Sequence, residues 1–545
     1  MNYILELLKA HKFKVCGFLI LSIATSLLGV GVLAFINEYL LRDSRALYII
    51  YFALLLCLFL FCSLFVEIKL NNFGQNFIFQ TQKKLVKQML DTSFLQIDKI
   101  TKAKLLASLN NDVRTISFGL MRFPEFTQSL ILIIASSFYL IYLSPKIFLF
   151  CSVFIVFLFI IDYRLMMKNY LCYKMSRNSD DALQKDYENI IDGRKELALN
   201  AFRAKLYYDN EFTKNALGKR DANIKSGIYN SLSNNLNSIG FLALVGFEFY
   251  FSLHFGWASL EEATTIAIAI LFLRSPLMSV TGSIPTLLMA KVSLDKIEHL
   301  DLMDYKPKFN LARYEKPWSS IRFENVSFHY DEKFALSPTS LDIKKGELVF
   351  LIGKNGSGKS TFSMLFAGLI KPDSGAIYLD DMRLNAQNIA LYRSLITAIF
   401  SDFHLFTQAI DGSGVASENK IAKWLEILGL TGKTQAQNGE ITTIKLSTGQ
   451  RKRLAMLIAL LEERDILILD EFAADQDPIF RRFFYTKLLP LLKNEGKTIL
   501  AISHDERYFD MADRIFLAQN GVISELKAAQ GQSMQELAKD LVEKF

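Results

Sequence analysis

Cysteine is scarce in this sequence and never usefully spaced. The five present, Cys16, Cys57, Cys62, Cys151 and Cys172, all lie in or beside apolar segments. They form no metal-ligand spacing and no disulfide framework, which excludes a cysteine-built metal module and a disulfide-stapled scaffold. Long runs of Lys and Arg are also missing. A formal net charge of +7 over 545 residues is modest, and without a basic tract it gives no ground for nucleic-acid binding. It reads instead as the basic residues that membrane proteins gather on their cytoplasmic side. No internal repeat and no low-complexity tract is present. Lys9, Lys12 and Lys14 precede an apolar run as they would in a signal peptide, but the run covers about residues 15–37 and carries no small-residue cleavage site. It is expected to stay attached as a membrane anchor.

Apolar side chains are what the sequence has in excess. A hydrophobic content of 51% and a mean hydropathy of +0.22 are too high for a soluble enzyme of this size, so part of the chain belongs in lipid. Runs at about residues 15–37, 47–68, 127–144, 146–165, 238–257 and 263–284 predict six spans, each near the roughly 20 residues that a bilayer demands. The third is the shortest, and Arg274 and Pro276 break the sixth. Long polar segments, Asn71 to Phe126 and Met167 to Asn237, are rich in Lys and Arg; they predict cytoplasmic helices that extend the spans. Glu261 and Glu262 make an acidic outer loop, whereas Arg42 and Arg45 in the first outer loop run against the pattern. Counted from the outer turn near Leu260, Glu248 in span five and Arg274 in span six differ in depth by only about 3 Å. Both are expected to face the protein interior, paired with one another or lining a substrate path. The alternative is that Arg274 snorkels to an interface.

Beyond Ala290 the spans stop. A polar connector over 291–319 leads to a second region, 320–545, in which strand-like and helix-like segments alternate as in an α/β nucleotide-binding core. Its centre is Val349 to Phe362, VFLIGKNGSGKSTF. Gly353, Gly358, Lys359 and Ser360 satisfy G-x-x-x-x-G-K-[ST], with Asn355, Gly356 and Ser357 inside the loop. Backbone N–H groups can wrap a triphosphate only where the chain lacks side chains and can take positive φ. Lys359 offers a point charge for the outer phosphates, the Ser360 hydroxyl a ligand for the accompanying Mg²⁺, and the helix beginning near Thr361 its positive end. The aliphatic run Ile466 to Leu469 ends in Asp470 and Glu471. A buried strand would deliver both carboxylates at its carboxyl end, where open α/β sheets bind ligands. There Asp470 would hold Mg²⁺ and Glu471 would polarise an attacking water.

Leu446-Ser447-Thr448-Gly449-Gln450, His504 and Tyr330 complete the pattern, and the region resembles the nucleotide-binding domain of ATP-binding cassette (ABC) transporters. LSTGQ departs from that family's LSGGQ by Thr448. The resemblance implies that Ser447, Thr448, Gly449 and Gln450 contact the nucleotide held by an opposite protomer. It also implies that Tyr330 stacks on adenine, that His504 sits near the γ-phosphate, and that Asp477 is the acid of the inter-protomer loop Ala474-Asp475-Gln476-Asp477. Ser401, with Asp402 beside it, stands where the family has a metal-sensing glutamine. It could still ligate Mg²⁺ directly or through water, with a shorter reach.

Six spans over 1–290 ahead of one cassette resemble an exporter-type half-transporter, which implies a homodimer in a bilayer. LLASLNNDVRTI and Ile191 to Phe212 resemble its two intracellular loops. GRKELALN, SDFHLF, LSTGQRKRLA, ALLEERDILILDE and AADQDP resemble the bacterial branch that exports cyclic peptides, lipopeptides and siderophore peptides. The expectation is therefore an ATP- and Mg²⁺-dependent transport ATPase of the cytoplasmic membrane, moving peptide-like or siderophore-like cargo. A lipid flippase and an ATP-gated, non-transporting regulator are the alternatives. With no cysteine-protease domain ahead of the spans, leader-peptide processing by this chain is not expected.

Overall fold

The computed structural model describes residues 12–40, 46–100, 102–331, 334–412, 414–442 and 445–526. The chain divides into two compact units, Met1–Lys87 with Ile100–Leu302, and Gln88–Lys99 with Met303–Phe545. In the first unit the principal helices are α1 (Lys12–Phe35), α2 (Ala46–Asp91), α3 (Val113–Leu143), α4 (Pro145–Asp192), α5 (Thr213–Phe255) and α6 (Leu260–Glu298). Their ends follow local chemistry. Pro145 follows Ser144 at the start of α4, where a missing N–H costs nothing. Gly256 closes α5 at φ +64°, a conformation that suits glycine. Ser259 and Glu262 form a capping box that opens α6.

Among the described residues, five helical stretches are long and apolar enough to cross a membrane: Ala46–Asp91, Lys104–Leu143, Pro145–Asp192, Ala201–Phe255 and Leu260–Glu298. The first expected span falls on α1, whose described apolar part is Ile20–Val32; the side chains of residues 12–16 lie outside the described set. In α6, 44% of the apolar window is buried, against 6% in α2, so α6 runs through the middle of the unit and α2 along its outside. Leu140, Ile147, Phe241, Leu244, Ile266, Ile270 and Leu273 form the core between α3, α4, α5 and α6.

The segment LLASLNNDVRTI is helical, with a π turn over Ser108–Asp112. Asp112 is buried there and accepts hydrogen bonds from Ser293 Oγ (3.0 Å) on α6 and Ser108 Oγ (3.4 Å), while Gln82 donates to the Leu109 carbonyl at 3.0 Å. The chain reversal after α2 lies upstream, around the short helix Phe94–Lys99.

Glu248 and Arg274 do not meet, which corrects the pairing alternative. Arg274 donates to Ser238 Oγ at 2.6 Å. Glu248 is fully buried, accepts from Ser252 Oγ at 2.9 Å, and has no hydrogen-bond partner for Oε2 among the described residues. The depth count fails because the turn residues 256–259 contribute no helical rise. Glu248 lies 7 residues from the end of α5 and Arg274 lies 14 from the start of α6, so they differ by about 10 Å along the bundle.

The second unit is built on a six-stranded sheet. With β1 Ser320–Asp331, β2 Phe334–Lys344, β3 Leu348–Gly353, β4 Ser374–Leu379, β5 Met382–Arg383, β6 Ile396–Ile399, β7 Ile466–Asp470, β8 Thr498–Ile502, β9 Arg514–Gln519 and β10 Val522–Glu525, its order is β10-β9-β3-β8-β7-β6. All neighbours are parallel except β9 and β10. A smaller antiparallel sheet has the order β2-β1-β4-β5. Both faces of the main sheet are covered, which explains its unbroken aliphatic strands. Alternation then divides each strand between two cores: Leu467, Leu469 and Phe350 pack on one side, Ile466, Ile468, Val349 and Leu351 on the other. The carboxyl ends of β3, β8 and β7 consequently open side by side.

Candidate nucleotide site

β3 ends at Gly353 and the chain turns into helix α7 (Lys359–Phe366) through a loop that glycine alone can follow. Gly353, Gly356 and Gly358 have φ of +144°, +79° and +106°. A Cβ on Gly353 would lie 2.2 Å from the Ala518 carbonyl oxygen and 2.9 Å from Ser357 Oγ. Gly353→Ala is therefore expected to destabilise the cassette by about 2–4 kcal/mol. The check is thermal unfolding of the purified protein, and an unchanged transition of the second unit would mean the loop relaxes freely.

Around this loop lies a cavity of about 290 Å³ lined by Tyr330, Asn355, Gly356, Gly358, Lys359, Ser360, Thr361 and Glu471. Lys359 is buried and donates to the carbonyls of Gly353 (2.7 Å) and Lys354 (2.9 Å). Burial pushes its ammonium below the usual lysine range, and the carboxylates of Glu471 and Asp470 oppose that shift. Ser357 Oγ is buried with no hydrogen-bond partner among the described residues, a polar atom in a loop otherwise shaped for an anion. Tyr330, set edge-on to Phe328 with ring centroids 4.9 Å apart, forms a further wall.

Asp470, at the end of β7, is buried, and burial followed by the neighbouring Glu471 raises its carboxyl above the usual range; Ser401 and Lys359 act the other way. Ser401 Oγ donates to Asp470 Oδ2 at 3.4 Å. The next residue, Glu471, has φ +48°, an uncommon conformation for a side chain of its length, and places Oε1 3.3 Å from His504 Nε2. Asp470, Ser401 and Ser360 present oxygen donors only, the chemistry a hard divalent cation requires. Among the described residues no group of three His, Cys, Asp or Glu side chains converges on a metal, so phosphate oxygens and water would complete the shell.

The LSTGQ stretch sits elsewhere. Ser447 caps helix α8 (Thr448–Leu461) in a capping box with Gln450. Ser447 and Thr448 are exposed, and Ser447, Thr448, Gly449 and Gln450 are not among the residues lining the cavity. Gly449 is pressed against the loop after β7: a Cβ would lie 2.6 Å from the Asp475 carbonyl oxygen. Lys452 pairs with Asp475 (2.8 Å) and donates to the Glu471 carbonyl (2.8 Å). Arg453 bonds Gln476 Oε1 (2.8 Å), pairs with Asp477 and lies 3.8 Å from the centroid of the Phe480 ring. Asp477 caps the helix Pro478–Phe483 by accepting from Phe480 N–H at 2.9 Å; that bond, aided by Arg453, holds its carboxyl below the usual range. Asp477 thus joins the scaffold linking the LSTGQ helix to Glu471, not the cavity wall. Lys452, Arg453 and Gln476 tie the LSTGQ helix to the loop after β7, links that motif matching passes over; the basic RKR following LSTGQ, set against the acidic ADQD, is the signal that could have found them. Leu95 also packs against the core that holds β1 and β3, and burial, with the nearby Asp98 adding to it, raises the Tyr330 phenol above its usual range.

A phosphate loop, an acidic strand end and a capped helix on one sheet, in a chain whose other unit is made of membrane-length helices, define a membrane-embedded transport ATPase. The chain belongs to the ABC transporter family. The description "ABC transporter transmembrane region" matches residues 13–277 and "ABC transporter" matches 336–474. The "ATP-binding protein SyrD" of Pseudomonas syringae pv. syringae is 31% identical over 82% of each chain. An "ATP-dependent lipid A-core flippase" of Vibrio vulnificus is 32% identical over 41% of each. The solved structure of a bacterial Atm1-family ABC exporter with ATP bound superposes with a TM-score of 0.76 over 98% of both chains at 15% identity, a likeness of fold. The protein is an ATP-driven exporter with several membrane-spanning helices.

Proposed function

We propose that two copies of this chain export a peptide-like or siderophore-like molecule across the bacterial cytoplasmic membrane, each nucleotide lying between the phosphate loop of one copy and the LSTGQ helix of the other. The observation that supports the dimer is the separation just described: Ser447 and Thr448 are exposed at a helix start and do not line the cavity of their own chain, which suits a second copy bringing that helix to the nucleotide. In this reading Lys359 and the loop amides hold the phosphates, Tyr330 stacks on adenine, Glu471 takes a proton from the attacking water, and His504 positions Glu471 near the γ-phosphate. Ser360, Asp470 and Ser401 would hold Mg²⁺, which neutralises phosphate charge when bound. The peptide class of cargo rests on the motif resemblance through GRKELALN, SDFHLF and LSTGQRKRLA.

Substrate-stimulated ATPase in proteoliposomes, screened over peptides, siderophores and lipids, tests this. Stimulation by the first two groups supports the reading, and stimulation by lipids alone replaces it with a flippase. That second reading is favoured by the similarity to a lipid A-core flippase over 41% of the chain.

Ser401→Gln should be tolerated, with ATPase within about threefold of the parent, because Ser401 is exposed and its backbone N–H, which any side chain leaves in place, bonds Asp470 alongside the hydroxyl. Loss of transport with ATP binding intact would mean that the loop has been rebuilt around serine.

A further inference from the structure

The first unit contains a cavity of about 340 Å³ between α2, α3 and α6, and its wall has a definite chemical character. Phe59 and Phe272 are among its apolar surfaces, while Glu67, Glu125, Gln128 and Ser279 bring oxygen to it. Two helix-interior prolines, Pro124 in α3 and Pro276 in α6, also line it. Each lacks an N–H, so the carbonyl four residues earlier, of Leu120 and of Phe272, loses its helical donor. The released carbonyls add partial negative charge near the cavity.

The charges are unequal. Glu125 is spoken for: Oε2 pairs with Arg122 at 2.5 Å and Oε1 accepts from Ser279 Oγ at 3.0 Å. Glu67 is exposed and has no ion-pair partner among the described residues, and no Lys or Arg is among the residues lining the cavity, so its wall carries a net negative charge. Measured from the ends of their helices at the short hairpins, Glu67, Glu125 and Ser279 lie 21, 18 and 19 residues along α2, α3 and α6, about 27–32 Å in each case. That is the thickness of a hydrocarbon layer, so the cavity sits where the bilayer interior gives way to the cytoplasmic interface.

We propose that this cavity is a cargo-recognition site for amphipathic cations, in which Glu67 receives an ammonium or guanidinium group and the aromatic wall takes the attached apolar body. An acceptor-rich pocket beside aromatic faces suits a cation on both counts, and one at the interface can take an amphiphile without dragging its charge across lipid. The inference deepens the export reading by naming the cargo's charge, and it rests on that reading for the cavity being on the transport path.

The test is equilibrium binding to the full-length transporter in nanodiscs with two matched probe pairs. One pair is a fatty-acylated peptide ending in a lysine amide and its side-chain-acetylated twin; the other is an alkylguanidine and the corresponding alkylurea. In the parent, each cation should bind about tenfold more tightly than its neutral twin. Glu67→Gln should bring each pair within about threefold while leaving the neutral probes unchanged, and Glu67→Asp should keep the preference. Equal binding of cation and twin in the parent, or a preference that survives Glu67→Gln, overturns the proposal while leaving peptide export standing. Glu67-dependent preference in the alkyl pair with no peptide binding supports the proposal and overturns the peptide reading. Binding of no probe overturns both.

Discussion

Glu471→Gln is expected to keep ATP bound and to lower steady-state hydrolysis by at least about 10²-fold. The amide preserves size and can still hydrogen-bond, but it cannot accept the proton of an attacking water. The position suits that role. Glu471 lines the same cavity as Lys359 and Ser360, follows a fully buried strand, and is held 3.3 Å from His504 Nε2. Its φ of +48° costs of order 1–3 kcal/mol, which the surrounding contacts sustain: its N–H donates to the Ile502 carbonyl at 3.2 Å and its own carbonyl accepts from Lys452 at 2.8 Å. Nucleotide binding and ATPase measured on the same purified variant give the check. Turnover near that of the parent would remove Glu471 from the role of general base.

Lys359→Ala should act earlier, weakening ATP binding by at least about tenfold. Its ammonium is buried in the loop, depressed by that burial, and supported by two nearby carboxylates and two backbone carbonyls. Removing it takes positive charge from the ground-state complex as well as from the transition state, so affinity and turnover should fall together, in contrast to Glu471→Gln. Unchanged ATP affinity in a titration with a fluorescent analogue would show that the loop amides alone suffice.

The parts of the site that were legible in the sequence are those where backbone geometry leaves one answer. Gly353, Gly356 and Gly358 take positive φ, and at Gly353 a Cβ would collide with another strand's carbonyl, so the G-x-x-x-x-G-K-S spacing carries its own structural explanation. The run Ile466 to Asp470 is buried at every position, which is why it reads as unbroken aliphatics ending in acid. Tyr330 and Glu471 are 141 residues apart in sequence and line one cavity, a juxtaposition that the family resemblance implies and that spacing alone does not give.

Helix depth was less legible. Glu248 and Arg274 lie further apart than a count along the sequence implies, because turn residues 256–259 add no helical rise, and Arg274 bonds Ser238 instead. LLASLNNDVRTI, which resembles the first intracellular loop, is tied into the bundle by Asp112 and Ser293, and the chain turns upstream of it. The helix Phe94–Lys99, which clusters with the cassette unit, has too few residues for any periodic pattern to be read from it. Asp477 offered a carboxylate at a motif position, but an N-cap Asp ahead of Pro478 is equally well explained by helix termination, and Arg453 completes that structural use.

The central claim is that the nucleotide site is finished by a second copy of the chain, and cysteine cross-linking tests it most directly. In a background freed of the five native cysteines and carrying Glu471→Gln, Asn355→Cys on the phosphate loop and Thr448→Cys on the LSTGQ helix place one thiol on each side of the proposed nucleotide. The account predicts a disulfide between chains that forms with ATP and is lost without nucleotide. A cross-link within one chain, or no ATP-dependent cross-link in a transporter that binds ATP, would contradict it.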